Sequence, residues 1–285
     1  MALRECIQQA KNNKKAVGHF NASTLDAIWA IADAGHELGV PVIVGLSEGE
    51  RDYVGIPEAV AIIKSIRENR KQEIFLNADH TYSFDRVKEA IDAGFDAAIF
   101  DGAKLDIGEN IAITKKCVEY ARACGRDVII EGELGFIGQS SKVLDEIPAG
   151  AVISEEQMTH PEDAKRFVLE TGVDLLAPAV GNIHGVIRGG DPALNITRVK
   201  EISEAISVSL VLHGSSGNSD SDVERTVDAG VAIVHVSTEL RLAYRSGLVK
   251  ALSDDPDEVA PYKYLKLAKN NMKKVVIEKL KVYNQ

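Results

Sequence analysis

The chain has 285 residues, 45% of them hydrophobic and 27% charged, which is ample for one large core. Its formal charge of -10 at pH 7, with no compensating basic run, argues against a nucleic-acid or anionic-membrane surface, so any phosphate ligand must be held by local features. Cys6, Cys117 and Cys124 lack metal or redox spacing and read as free thiols; with no signal-type start and no bilayer-length apolar run, the expectation is a cytoplasmic enzyme.

Residues 2–14 have the spacing of a short amphipathic helix, and residues 16–20 read as a first strand whose exit is Asn21 to Thr24. Thr24 is placed to cap a helix ending near Leu38. Residues 39–45 form a second strand followed by the loop Ser47-Glu-Gly-Glu, and a helix from Pro57 to Asn69 leads to a third strand, Ile74 to Ala78. Ser83 caps the helix Phe84–Ala93, which Gly94 closes. The fourth strand, 96–101, precedes a helix over about 106–124, and the fifth is 127–133. A Gly/Ser/Pro-rich loop from Leu134 to about Glu156 has a length usual for functional lids or disordered segments. A helix at 161–171, a sixth strand from Val173, a helix near 196–206, a seventh strand at 208–212 and a helix at 220–229 follow. The eighth strand is 231–236, and helices near 239–252 and 260–282 end the chain.

The eight β runs are continuously apolar, as in a parallel sheet covered on both faces. Eight such units alternating with helices predict an α/β fold, a TIM (β/α)8 barrel with additional C-terminal helices, forming a single domain over residues 1–285. In that fold, catalytic groups sit at the carboxyl ends of strands. Asn21, Ser47, Asp79, His80, Asp101, Glu131, Glu133, His184, His213, His235, Ser237 and Thr238 all fall at strand exits. His80, His184 and His213 form a candidate metal set, since three imidazoles with an open position suit catalytic zinc. Asp101 and Glu133 are placed to bind a second cation or to orient the imidazoles. Asp79 should point away from His80 along an extended strand, toward substrate, where it can transfer a proton. Gly181, the turn Gly214-Ser-Ser-Gly217 and the pair Ser237-Thr238 suggest a phosphate site, because loops after the last two strands commonly bind phosphate in this fold. His19, His36 and His160 read as bystanders. No predicted strand carries a lysine, which removes a Schiff-base mechanism.

Together these residues resemble the class II, metal-dependent fructose- and tagatose-bisphosphate aldolases. The match runs from about residue 14 to 245 through Phe20-Asn21, Val44-Gly-Leu-Ser-Glu-Gly49, Asp79-His80, Ile99-Phe-Asp-Gly102 and Glu131-Gly-Glu-Leu-Gly135, then Gly181-Asn-Ile-His-Gly185, Leu212-His-Gly-Ser-Ser-Gly217 and Val236-Ser-Thr-Glu-Leu-Arg241. The resemblance implies a Zn2+ held by His80, His184 and His213 that polarises the C2 carbonyl of dihydroxyacetone phosphate and stabilises its enediolate. It implies Asp79 as the proton carrier at the C4 hydroxyl, and Asp101 and Glu133 as second cation positions. Asn21, Ser47, Gly181, Gly185, Gly214, Ser216, His235, Ser237 and Thr238 become the substrate and phosphate contacts, with a monovalent ion at the phosphate in many members. The expected substrate is a phosphorylated ketose, most simply fructose 1,6-bisphosphate; tagatose bisphosphate, a keto-deoxy-sugar phosphate, or isomerase or epimerase chemistry are the alternatives. Family members are usually homo-oligomers.

The chain departs from the family pattern at three points. His235 replaces an asparagine near the phosphate, Ser140 and Ser141 stand where the mobile loop normally carries a glutamate, and Ala103 replaces a serine. Asp145 and Glu146 are the carboxylates nearest the missing one.

Overall fold

A computed structural model describes residues 1–139 and 142–284, and the Ser140–Ser141 departure lies outside them. Eight strands close into a parallel barrel: β1 (Val17–Asn21), β2 (Val42–Leu46), β3 (Ile74–Thr81), β4 (Ala97–Phe100), β5 (Ile129–Leu134), β7 (Leu175–Pro178), β9 (Ser209–Leu212) and β10 (Val231–Val236). Around the barrel they run β1-β10-β9-β7-β5-β4-β3-β2, and β1 closes the ring by pairing with both β10 and β2. Two short strands, β6 (Val143–Leu144) and β8 (Val186–Ile187), pair with each other in the long loops at the barrel mouth. The predicted fold class, a TIM barrel with additional C-terminal helices, is the observed one.

The helices are α1 (Leu3–Asn12), α2 (Leu25–Leu38), α3 (Glu48–Val54), α4 (Ile56–Arg70), α5 (Phe84–Ala93), α6 (Ile107–Ala123), α7 (Pro161–Thr171), α8 (Ile196–Ala205), α9 (Asp220–Asp228), α10 (Thr238–Asp254) and α11 (Pro261–Tyr283). Their starts follow local chemistry. Thr24 and Ser83 accept from the backbone N–H three residues on, while Gly39 and Gly94 end their helices in left-handed conformation. Helix α3 occupies the segment predicted as the Ser47 loop, because the carboxylate of Glu50 reaches back to the Ser47 backbone N–H and hydroxyl and nucleates a turn. No helix among the described residues is long and apolar enough to cross a membrane.

Two hydrophobic layers explain where the site lies. The larger fills the space between sheet and helices and includes Ile28, Phe100, Phe167, Val234 and Leu280. The smaller lies inside the barrel, where Val17, Ile43, Phe75, Ala97, Ile129, Leu175, Val211 and Ile233 meet Leu3, Cys6 and Ile7 of α1. Helix α1 thus plugs the amino-terminal end. Side chains alternate along a strand, so residues two and four positions beyond this plug also point inward. They are His19 and Asn21, Asn77 and Asp79, Glu131 and Glu133, His213, and His235. The apolar floor gives way to buried polar groups toward the open end.

Candidate active site and metal centre

Strand β3 is the element that departs from regular geometry. Its pairing with β4 shifts register between Ala78 and Thr81, and His80 adopts φ +31, a left-handed conformation uncommon for a residue with a Cβ. The predicted simple alternation at Asp79-His80 is therefore corrected: the bulge turns both side chains toward the mouth, with Asp79 Oδ1 only 3.9 Å from His80 Nε2. Arg51, fully buried, holds this distortion. Its guanidinium donates to the carbonyls of Leu46 (2.8 Å) and Asp79 (3.2 Å) and to Thr81 Oγ1 (3.1 Å).

The three predicted metal histidines meet at the carboxyl end of the barrel. His80 lies 4.7 Å from His184 and 4.9 Å from His213 between ring centroids, and His184 is 6.0 Å from His213. One ligand atom from each of His80, Glu133, His184 and His213 lies within 4.8 Å of all the others. Carboxylates orient the rings. His80 Nδ1 is 2.9 Å from Asp101 Oδ2 and 3.4 Å from Glu133 Oε2, and His213 Nε2 is 2.7 Å from Glu131 Oε1. Glu131, a strand-end carboxylate by sequence, is buried and bonded to a histidine of the set.

The donor set fits a divalent ion. His184 Nε2, His213 Nδ1 and Glu133 Oε2 are buried and have no hydrogen-bond partner among the described residues. Such orphans are costly unless an ion or water satisfies them. Burial, with His80 and His213 nearby, pushes His184 well below the ordinary histidine range, so it offers a free lone pair. Burial would lower His80 too, yet Asp79, the bond to Asp101 and Glu133 carry it up to about 9. Burial likewise opposes the His213 cation, but Glu131 and Glu133 hold it well above the usual value. An ion bound here would replace those protons on the same carboxylate-rich frame.

Beside the cluster, a cavity of about 470 Å³ opens at the mouth. Asp79 faces it; Oδ2 accepts from Asn21 Nδ2 at 2.8 Å while Oδ1 is buried and makes no hydrogen bond among the described residues. Burial favours the neutral acid, but His80, His235 and His19 outweigh it and keep Asp79 ionised well below the carboxylate range. Asn21, Ser47, Gly185, Gly214, Ser216, His235, Ser237 and Thr238 also line the cavity. Gly181 stands behind them at the β7 exit, with φ +96, where a side chain would meet the Ala193 carbonyl. Gly214 is equally constrained, since a Cβ there would run into the Ile183 carbonyl. Ser237 Oγ is buried without a partner among the described residues, at the head of the 17-residue helix α10, whose positive end suits an anion.

Several residues emerge only in three dimensions. His19, read as a bystander, is fully buried and stacks on His235 with ring centroids 3.5 Å apart. The cations Lys142 and Arg241 line the cavity. Glu50 joins Asn21, Ser47 and Arg241 through one carboxylate. Asp145 pairs with Arg188 at the surface, and neither it nor Glu146 lines the site cavity. His36 lies within α2, and His160 precedes α7.

A family profile described as Fructose-bisphosphate aldolase class-II matches residues 1–285. The chain belongs to the class II fructose-bisphosphate aldolase family. It is 34% identical to a fructose-bisphosphate aldolase of Staphylococcus epidermidis over 99% of this chain and 96% of that one, and 33% identical, with the same coverage, to one from Geobacillus stearothermophilus. Among solved structures, this class II aldolase is similar to the YdjI aldolase of Escherichia coli K12, with a TM-score of 0.81, 27% identity and coverage of 99% and 96%. It is also similar to a putative fructose-1,6-bisphosphate aldolase of Coccidioides immitis, with a TM-score of 0.85, 25% identity and the same coverage. Class II aldolases are generally metal-dependent, and the cluster of His80, Glu133, His184 and His213 is where this aldolase can hold an ion.

Proposed function

We propose that this aldolase reversibly cleaves a phosphorylated ketose to dihydroxyacetone phosphate and an aldehyde, with His80, His184 and His213 holding a divalent ion, Zn2+ by donor chemistry. The names of the relatives make fructose 1,6-bisphosphate, which would give glyceraldehyde 3-phosphate, the first substrate to test. The observation that carries this reading is the convergence of buried nitrogen and oxygen atoms of His184, His213 and Glu133, without hydrogen-bond partners among the described residues, beside an ionised Asp79 at a phosphate-type turn. When bound, the ion supplies Lewis-acid polarisation of the substrate's C2 carbonyl.

The chain's own groups supply the rest. Gly214, Ser216, Ser237 and Thr238 hold the phosphate with hydroxyls, backbone and the start of α10. Asp79 Oδ1 takes the proton of the C4 hydroxyl while Asn21 fixes the other oxygen. The C3–C4 bond then breaks, C4 leaves as the aldehyde, and the electron pair remains on C3, which takes up a proton to release dihydroxyacetone phosphate. Asp101 and Glu131 orient His80 and His213, while Glu133 and Asp101 are the carboxylates available to a second cation.

The test is triose-phosphate release from fructose 1,6-bisphosphate and related ketose phosphates, with and without chelator. Turnover that survives complete metal removal refutes the metal role. Asp79→Ala should keep its metal yet lose activity by about two to four orders of magnitude; near-normal turnover refutes the assignment.

A further inference from the structure

We infer that Glu50 is a positioning residue for Asp79: acting through Asn21, its carboxylate fixes the side chain that takes the C4 hydroxyl proton. The inference rests on the reading proposed above and gives a role to a residue that stands just behind the cavity wall.

The residues involved come from neighbouring strand exits. β10, β1, β2 and β3 follow one another around the barrel. Arg241 lies in the first turn of α10 after β10, Asn21 ends β1, Glu50 is in α3 after β2, and Asp79 is on β3. Glu50, only 7% exposed, is the hub. Its Oε1 is 2.6 Å from Arg241 Nη2, and its Oε2 receives Asn21 Nδ2 at 3.0 Å, Ser47 N–H at 2.9 Å and Ser47 Oγ at 3.0 Å. The same Asn21 Nδ2 donates to Asp79 Oδ2 at 2.8 Å.

An asparagine amide has a donor end and an acceptor end of nearly the same shape, and its neighbours select which way it turns. A carboxylate only accepts, so Glu50 and Asp79 hold the two N–H bonds of Asn21 between them. With the amide turned this way, Asp79 Oδ2 is occupied and Oδ1 is left for the substrate hydroxyl. Arg241 balances the buried charge that the arrangement requires.

Helix α3 grips Asp79 twice. Arg51, the residue after Glu50, donates to the Asp79 carbonyl at 3.2 Å. Consecutive side chains thus constrain one aspartate, Arg51 at its main chain and Glu50, through Asn21, at its carboxylate. Capping of α3 does not explain this. A capping box takes glutamine as well as glutamate at that position, and neither the Arg241 pair nor the Asn21 bond is part of a cap. Glutamine at position 50 would set its own NH2 against Arg241 or against Asn21, donor facing donor, and release the geometry that holds the amide.

The experiment uses Glu50→Gln in the metal-loaded enzyme and reads two reactions. One is cleavage of fructose 1,6-bisphosphate, or of whichever related ketose phosphate the wild type cleaves best. The other is solvent deuterium exchange into dihydroxyacetone phosphate alone. Only cleavage moves the C4 hydroxyl proton, so only cleavage needs Asp79 in place. Its kcat should fall by about 10- to 100-fold, the scale of a misplaced reacting group, with KM and the exchange rate within about threefold of wild type. Equal loss of cleavage and exchange would mean general damage to the site, a raised KM with unchanged kcat would make Glu50 a binding group, and unaltered kinetics would leave it a helix cap. Each of these overturns the inference. On an Asp79→Ala background, Glu50→Gln should change the residual cleavage by no more than about twofold, because the two residues act as a unit; a second full loss also overturns it. Should Glu50→Gln not fold, Asn21→Ala breaks the same link and must show the same split between cleavage and exchange. A wild type that neither cleaves these ketose phosphates nor exchanges refutes the aldolase reading itself, whereas one that does both, beside a Glu50→Gln variant with full cleavage, refutes only the role of Glu50.

Discussion

The ring of His19 lies face to face with that of His235, 2° from parallel, on the polar layer just above the apolar plug of the barrel. Strand pairing puts the two residues opposite each other, and Gly45 on β2 leaves the room that the His19 ring fills. Both His19 nitrogens are buried without a hydrogen-bond partner among the described residues. Burial draws this imidazole from 6.5 down to about 4 against the opposing pull of Asp79, so it is neutral in the folded enzyme.

That shift has a definite sign. Below pH 6.5 the unfolded chain takes up a proton that the folded His19 refuses, so this residue costs stability increasingly as pH falls from 6.5 toward 4. Above 6.5 its contribution is flat. The depression corresponds to about 3 kcal/mol at the acid end of that window. His19→Asn should therefore gain on wild type by about 2–3 kcal/mol between pH 7 and pH 4. Denaturant unfolding of both proteins at the two pH values measures it, and parallel pH dependences would contradict the buried neutral imidazole.

Arg51 gives a second prediction. Its guanidinium spans Leu46, Asp79 and Thr81 across the bulge that aims Asp79 and His80. Replacement by Met keeps the bulk but leaves buried carbonyls unsatisfied, at a cost of about 1–3 kcal/mol each where no water enters. The expected outcome is a lower melting temperature together with weaker metal binding, because His80 loses its imposed φ. A variant that melts lower yet binds metal as wild type would reduce Arg51 to a purely stabilising part.

The barrel and the three-histidine set were legible in the sequence because both are written locally. Eight continuously apolar runs mark strands covered on two faces, and His80, His184 and His213 each follow such a run. Glycine and hydroxyl residues at 214–217 and 237–238 mark turns by composition alone. What escaped depends on partners distant along the chain. His19 looked like an ordinary strand residue, although the spacing Val17, His19, Asn21 was available as an inward-pointing row. Glu50 was hidden in a segment read as loop, since its helix is nucleated by its own carboxylate and its purpose is set by Arg241, far along the chain. The bulge at His80 has no signature in residue type; it is imposed by Arg51.

Glu131 offers a third prediction. Its carboxylate is buried 2.7 Å from His213 Nε2, which fixes the ring so that Nδ1 faces the cluster. Glu131→Gln preserves shape but removes the charge that supports a metal-bound imidazole. Metal affinity should fall by about 10- to 100-fold, with activity restored at high metal concentration. Competition against a chromogenic chelator measures the first and an activity titration the second. Unaltered affinity would show that His213 is held by packing alone.

The last prediction concerns the ion as a structural partner. His184 Nε2, His213 Nδ1 and Glu133 Oε2 are buried polar atoms on three different segments, none with a hydrogen-bond partner among the described residues. A ligand that binds only the folded state stabilises it by mass action, about 2.7 kcal/mol when present at one hundred times its dissociation constant. For a chain of this size that amounts to a melting-temperature rise of about 5 °C or more. Thermal unfolding with and without Zn2+ after exhaustive chelation should show that rise, and His184→Ala should abolish it while keeping a cooperative transition. Identical melting of the metal-loaded and stripped wild type would mean that the imidazoles do not share an ion, whatever the activity assay reports.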